Sequence, residues 1–312
     1  MLDLYILLLL QGLRNSLGTG FTDFFIKMSS ITGSIFIIIA AIYWSVNKKF
    51  GTFLLFGAVW NMLLNDFLKV TFCEYRPWIR DPAIIPVSKA GGYSFPSGHS
   101  MSAASVFGGI AISNHLKKTL RIGGCILLLL IMFSRLWLGV HTPQDVIVGG
   151  IIGCVVMITV YKILPIINNN KNADIIIAII SIIIAITVAV YATFKGYPVD
   201  YDTTGKILVE GSEMAKSAYP AVGSTIGFFV SWVIERRFVK FSNGKNIQQN
   251  ALRLLFGLLS LDFVNLIIGN SISVSVGESL GIIIQNAVKM AYIVLIYPFI
   301  FNFFENKRNK NS

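Results

Sequence analysis

Stretches of about 20 residues dominated by Ile, Leu, Val, Phe and Ala recur along this chain, at roughly 26–46, 51–72, 97–114, 119–138, 143–164, 174–194, 218–234, 251–270 and 281–303. A helix of about that length crosses the ~30 Å hydrocarbon layer of a bilayer. Inside hydrocarbon each backbone N–H and C=O must be satisfied within its own segment, so these runs read as helices. Nine such runs restrict the chain to an all-α fold, a polytopic membrane helical bundle. The composition agrees: 13% of the 312 residues are charged and 54% are hydrophobic, with a mean hydropathy of +0.71. A soluble domain carries roughly 25% charged residues. Residues 1–20 are apolar, but Asp3 stands where a secretory leader would be basic, so they read as an interfacial segment feeding the first span.

The net charge of +11 raises the question of a nucleic-acid partner, and its placement answers it. Lys48 and Lys49; Lys117, Lys118 and Arg121; Lys162 and Lys171; Arg236, Arg237, Lys240 and Lys245; and Lys307, Arg308 and Lys310 all fall in alternate connections between runs. By the positive-inside rule these connections face the cytoplasm, which puts the C-terminus there too. The intervening connections, roughly 73–96, 135–143, 195–217 and 271–280, face the exterior. The expected partner is therefore the bilayer, with no nucleic acid.

Two exterior connections depart from this pattern. Lys69 and Arg76 flank one, and Arg135 opens the other, although the exterior edge should be poor in cations. Ionisable groups at membrane depth cost about 2.5–3.5 kcal/mol on insertion scales. An anion shared among the three offsets that cost, although snorkelling accounts for any one alone. Arg forks match phosphate oxygens, and Lys supplies a point charge. Ser97 and Gly98 sit where a turn enters a helix, an arrangement that serves either an ordinary cap or an anion held on free N–H groups. His99 follows at once. In the second connection Thr142 suits a helix cap, Pro143 the first helical position and Asp145 the first turn. The i to i+4 spacing brings Asp145 within reach of His141, which either pins a loop or fixes a tautomer and frees Nε2 for chemistry.

Taken in order, Lys69-x6-Arg76-Pro77, Pro96-Ser97-Gly98-His99 and Ser134-Arg135-x5-His141-x3-Asp145, with Gly139 two residues before His141, resemble the signature of the type-2 phosphatidic acid phosphatase superfamily. That family holds membrane lipid phosphatases and, on a similar helical core, vanadium haloperoxidases. The resemblance covers about residues 20–195 and implies a six-helix phosphatase core at 21–195, with about three extra transmembrane helices in an extension at 196–312. It implies His141 as nucleophile forming a phosphohistidine, Asp145 orienting it and His99 as general acid. Lys69, Arg76, Ser97, Gly98 and Arg135 would bind phosphate, and neither a metal nor a cofactor is implied. The activity expected is hydrolysis of a lipid phosphate or pyrophosphate at the extracytoplasmic face. Undecaprenyl diphosphate is the first substrate expected, with phosphatidate or phosphatidylglycerophosphate as the alternative. A non-enzymatic lipid-phosphate transporter would need the cations but not an oriented His141.

Other features read as structural. Asp66, one turn from Lys69, is expected to support it, on a helix side shared with Asn61 and Asn65. Asp262 and Lys289 are expected to pair. Gly149-x3-Gly153 and Gly223-x3-Gly227 are expected to be close-packing helix faces. His115 and the three cysteines, Cys73, Cys125 and Cys154, carry no expected role.

Overall fold

The computed structural model describes the backbone of residues 2–311 apart from Lys89 and Lys245, and the side chains of these residues apart from 262, 265–276 and 306–311. The helices, in chain order, are α1 (Leu2–Leu17), α2 (Thr19–Val46), α3 (Lys48–Phe72), the short α4 (Pro77–Arg80), α5 (98–112), α6 (Lys118–Trp137), α7 (Pro143–Asn169), α8 (Ala173–Phe194), α9 (Gly211–Val239), α10 (Ile247–Val276) and α11 (Glu278–Glu305). No strand is formed among the described residues, only an isolated bridge between Tyr201 and Ile207.

Among the described residues, seven stretches are long and apolar enough to cross a membrane: α2, α3 with α4, α6, α7, α8, α9 and α11. The run at 97–114 folds to a shorter rod, stretches of 6, 5 and 4 residues in sequence, about 22 Å at 1.5 Å per residue. It is short because Ser97 caps its start and Ser113 is already extended at its end. The run at 251–270 lies within α10, many of whose side chains fall outside the described residues. The Asp262–Lys289 pair lies there too, because the side chain of Asp262 is not among those described.

The chain forms two compact units, one from residues 1–35, 60–160 and 191–217, the other from 36–59, 161–190 and 218–312. In the second, Gly223 and Gly227 of α9 lie against the backbone carbonyls of Ile283 and Ala287 of α11, so a Cβ at either position would collide with main chain. This bears out the small-residue face read from the sequence. Trp44 donates its Nε1–H to Ile293 O at 2.8 Å, and the buried Arg253 holds Glu305 through both carboxylate oxygens.

The first unit contains every residue of the sequence signature, and α7 organises it. A Cβ on Gly149 would meet Ser97 O at 2.9 Å and Ser97 N at 3.2 Å; one on Gly153 would meet Ala104 Cβ at 2.6 Å and Met101 Cα at 3.1 Å. The two glycines thus let α7 pass directly against the start of α5. Asn61 of α3 ties the same junction, donating to Ser105 Oγ at 2.8 Å and Gly153 O at 3.3 Å. Asn65 donates to Pro96 O at 3.1 Å. Phe25, Phe133 and Trp137 join α2 to α6, with Phe25 centroids 5.4 and 5.3 Å from the other two rings.

Packing at Gly149 is against rigid backbone, whereas a Cβ on the neighbouring Gly150 would meet only the flexible end of Met132, at 2.5 Å. Gly149→Ala is therefore expected to cost about 1–3 kcal/mol, the usual toll of overpacking, and Gly150→Ala much less. Thermal unfolding in detergent checks this, and equal midpoints for the two variants would contradict the close-approach account.

Candidate active site

Three chain reversals build the site, and each has a local cause. Helix α6 ends at Trp137 with Leu138 as its cap, and Gly139, at φ 70°, reverses the chain. Gly139 N donates to Leu136 O at 3.0 Å and Val140 N to Arg135 O at 3.2 Å, using carbonyls the helix leaves open. Helix α7 starts with a reciprocal cap: Thr142 N donates to Asp145 Oδ2 at 2.8 Å, and Asp145 N to Thr142 Oγ1 at 3.3 Å. Helix α5 starts at Ser97, whose Oγ accepts from Ser100 N at 3.4 Å. The Phe95–Pro96 peptide just before it is cis. The α5 and α7 turns are bonded directly, Ser97 N donating to Asp145 O at 2.9 Å.

His141 lies between these caps, buried with Asp145 and Ser94. Its Nδ1 is 3.3 Å from Asp145 Oδ2, the oxygen that also accepts from Ser94 Oγ at 2.5 Å. Its Nε2 lies 3.0 Å from Arg76 Nη1. A guanidinium only donates, so Nε2 must accept and the ring proton sits on Nδ1, toward Asp145. Burial first, and then the charges of Arg76, Lys69, Arg135 and His99, push the imidazole well below its ordinary value, so it is held neutral. The cations and His99 thus share one electrostatic environment with His141.

Arg76 extends from the loop between α3 and α4. It donates through Nε to Gly92 O at 3.1 Å, through Nη2 to Gly91 O at 2.7 Å and through Nη1 to Val140 O at 3.0 Å. Three backbone carbonyls therefore occupy much of the fork, leaving one Nη2–H and the Nη1–H on His141 for an anion. Arg135 is buried and donates through Nη1 to Ser29 Oγ, while its Nε has no partner among the described residues. Gly98 lies against Asn65, with a Cβ there meeting Asn65 Oδ1 at 2.9 Å. Asp66 and Lys69 act on each other electrostatically, in keeping with the support expected of Asp66.

Some residues of this constellation escaped the sequence reading. Ser94 belongs to none of the motifs, although it precedes Ser97 by one turn's worth of chain. The carbonyls of Gly91 and Gly92 carry no side-chain signal, only a Gly-Gly pair in a loop. Asn61 and Asn65 were visible as polar residues in an apolar run, but their partners were not. His115 lies exposed in the connection before α6, away from these bonds.

Comparison with known proteins places the chain in a family. A model of the PAP2 superfamily matches residues 50–169, and one of the PAP2 superfamily phosphatase transmembrane extension matches residues 219–309. A phosphatidylglycerophosphatase B of Bacillus subtilis is 34% identical over 158 residues, 47% of this chain and 73% of that protein. The chain belongs to the PAP2 superfamily. An undecaprenyl-diphosphatase of Sulfolobus acidocaldarius is 31% identical over 107 residues, 34% of this chain; the match spans 51% of that protein. The crystal structure of a transmembrane PAP2-type phosphatidylglycerolphosphate phosphatase from Bacillus subtilis is 25% identical, covering 54% of this chain and 87% of its own, with TM-score 0.45. The last helices, which the signature motifs left unassigned, are accounted for by the extension.

A PAP2 site with a neutral His141 has a spectroscopic consequence. At pH 6, where an ordinary histidine of pKa about 6.5 is mostly protonated, His141 should show the neutral Nδ1–H tautomer by ¹⁵N NMR in detergent. Ser94→Ala should shift the Nδ1 resonance by removing one of the donors to Asp145 Oδ2, leaving Thr142 N. An imidazolium signal at pH 6 would contradict the geometry.

Proposed function

We propose that this chain is an integral membrane phosphatase that hydrolyses a lipid phosphate or pyrophosphate at the extracytoplasmic face, through a phosphohistidine at His141. Residues 21–195 carry the phosphatase core and 196–312 the transmembrane extension. The observation that carries this reading is the chain of contacts Ser94–Asp145–His141–Arg76, which orients one imidazole nitrogen toward a cation. Anion binding alone needs the cation but not the carboxylate behind the ring.

In the proposed reaction Nε2 of His141 attacks phosphorus, and the bond from phosphorus to the lipid oxygen breaks. His99 donates a proton to that oxygen. Asp145 stabilises the positive charge left on the ring, as a triad carboxylate does. Water then attacks the phosphohistidine, His99 takes its proton, and inorganic phosphate and free His141 are restored. Throughout, Lys69, Arg76, Arg135 and the helix start at Ser97–Gly98 face the charge spread over the phosphoryl oxygens, where electrostatic stabilisation contributes most. The unpartnered Arg135 Nε is one donor suited to that task.

The exterior placement rests on charge distribution. The connections that hold the site, 73–97 and 138–142, alternate along the chain with those at whose edges Lys117, Lys118 and Arg121, then Lys162 and Lys171, then Arg236, Arg237, Lys240 and Lys245 gather. Undecaprenyl diphosphate is the first substrate, supported by the activity named for one relative. The other relative's name supports phosphatidylglycerophosphate, with phosphatidate alongside it, as the second reading.

Phosphate release by the detergent-solubilised protein across these lipids tests the proposal. His141→Ala is expected to lower kcat/KM by a factor on the order of 10⁴ or more, and Asp145→Asn by up to about 10⁴. His99→Ala is expected to lower it by about 10²–10⁴. Retained activity in His141→Ala would remove the proposed nucleophile, and no release from any lipid would favour a transporter.

A further inference from the structure

Helix α1 makes contacts that a mere interfacial anchor would not need. Arg14 is buried, and its fork closes on two backbone carbonyls from distant parts of the first unit: Nη1 donates to Trp137 O at 2.7 Å and Nη2 to Ile85 O at 2.7 Å. One turn earlier, Gln11 pairs with the same segment as a strand neighbour would. Its Nε2 donates to Ala83 O at 3.0 Å, and its Oε1 accepts from Ile85 N at 2.7 Å. Asp3 adds an ion pair to Arg80 at 3.0 Å. Ala83 and Ile85 are thereby held by α1, and two residues on Val87 N donates to Leu138 O at 3.1 Å. Leu10, Trp78 and Ala90 pack on one cluster with Leu138 and Val140. A Cβ on Gly139 would lie 3.5 Å from Ile85 O and 3.6 Å from Arg14 Nη1, so the αL turn before His141 is part of the same joint.

The held segment leads straight into the site. Gly91 and Gly92 hold Arg76, and Ser94 holds Asp145. It also lines a cavity of about 630 Å³ between Trp78, Pro86, Val87, Ser88, Ala90 and Gly91, with the Arg76 guanidinium 5.8 Å from the Trp78 ring. Among the described residues its lining side chains are uncharged, which suits a part of the substrate other than the phosphoryl group. Residues 2–17 lie outside both matched family segments.

We propose that α1 is a strap, with Arg14 and Gln11 as positioning residues that set the 83–92 segment and, through it, Arg76 and the discrimination between lipid headgroups. This rests on the phosphatase reading for its kinetic part but not for its structural part. Arg14→Ala leaves Trp137 O and Ile85 O without their donor, so the segment should open. Arg14→Lys reaches one carbonyl and restores part of the effect. Gln11→Ala, at a half-buried position, releases Ala83 and Ile85 alone.

The test is hydrogen–deuterium exchange of the full detergent-solubilised chain, with kinetics on phosphatidate and phosphatidylglycerophosphate. Arg14→Ala and, more weakly, Gln11→Ala are expected to speed exchange in peptides covering 81–92. KM is expected to rise about tenfold, more than kcat falls, and the ratio of kcat/KM for the two lipids to change, since small misplacements of a clamp are costly. Unchanged exchange in both variants would overturn the strap, and so would faster exchange with both kinetic readouts unmoved. If Arg14→Ala does not accumulate, Gln11→Ala and Arg14→Lys carry the test. Should the wild type release no phosphate, the phosphatase reading fails, and the exchange data still decide whether α1 holds the segment.

Discussion

One carboxylate carries two duties on which the rest of the first unit depends. Asp145 closes the N-terminal cap of α7 through Thr142 N, and the same Oδ2 faces His141 Nδ1 and accepts from Ser94. The bond that starts the helix therefore also aims the imidazole. A carboxylate in a helix's first turn is favoured by the open N–H groups and the dipole there. In a buried setting it gains further from each donor it satisfies. Orientation of the ring comes with helix formation rather than in addition to it.

Closeness of the two turns follows from backbone packing. Gly149 and Gly153 let α7 touch the start of α5, and Ser97 N reaches Asp145 O at 2.9 Å. In a bilayer, where apolar side chains gain nothing by leaving lipid, small residues and hydrogen bonds between helices do the joining. Asn61 and Asn65 supply such bonds from α3. The result is that Arg76, Arg135 and His141 are buried together, a cluster whose charge the proposed phosphoryl group would offset.

Much of this was legible in the sequence, for physical reasons. Helical class follows from run length, because hydrocarbon permits no other backbone solution. The His141–Asp145 contact follows from i to i+4 geometry, and the cap from Thr142 and Pro143. Glycine spacing announced the α7 and α9 contact faces. What was not legible involves backbone acceptors and tertiary partners. Arg76 spends most of its donors on Gly91, Gly92 and Val140 carbonyls, which leave no trace in side-chain pattern. Ser94 gains meaning only when Asp145 is folded against it. The 97–114 run is apolar enough to be taken for a full span, yet its caps shorten it to 98–112. Helix α1, expected as an interfacial segment, also bonds to the first unit through Arg14 and Gln11, which no motif announced.

The claim at the centre of this account is that His141 Nε2 is the atom that takes the phosphoryl group. Mixing the solubilised protein with a lipid labelled at the transferred phosphorus, quenching in alkali and mapping the label tests it most directly. A base-stable, acid-labile label on the peptide containing His141, absent in His141→Ala, is the predicted result. Phosphate release at full rate with no label trapped on the protein, or with the label on another residue, would contradict it.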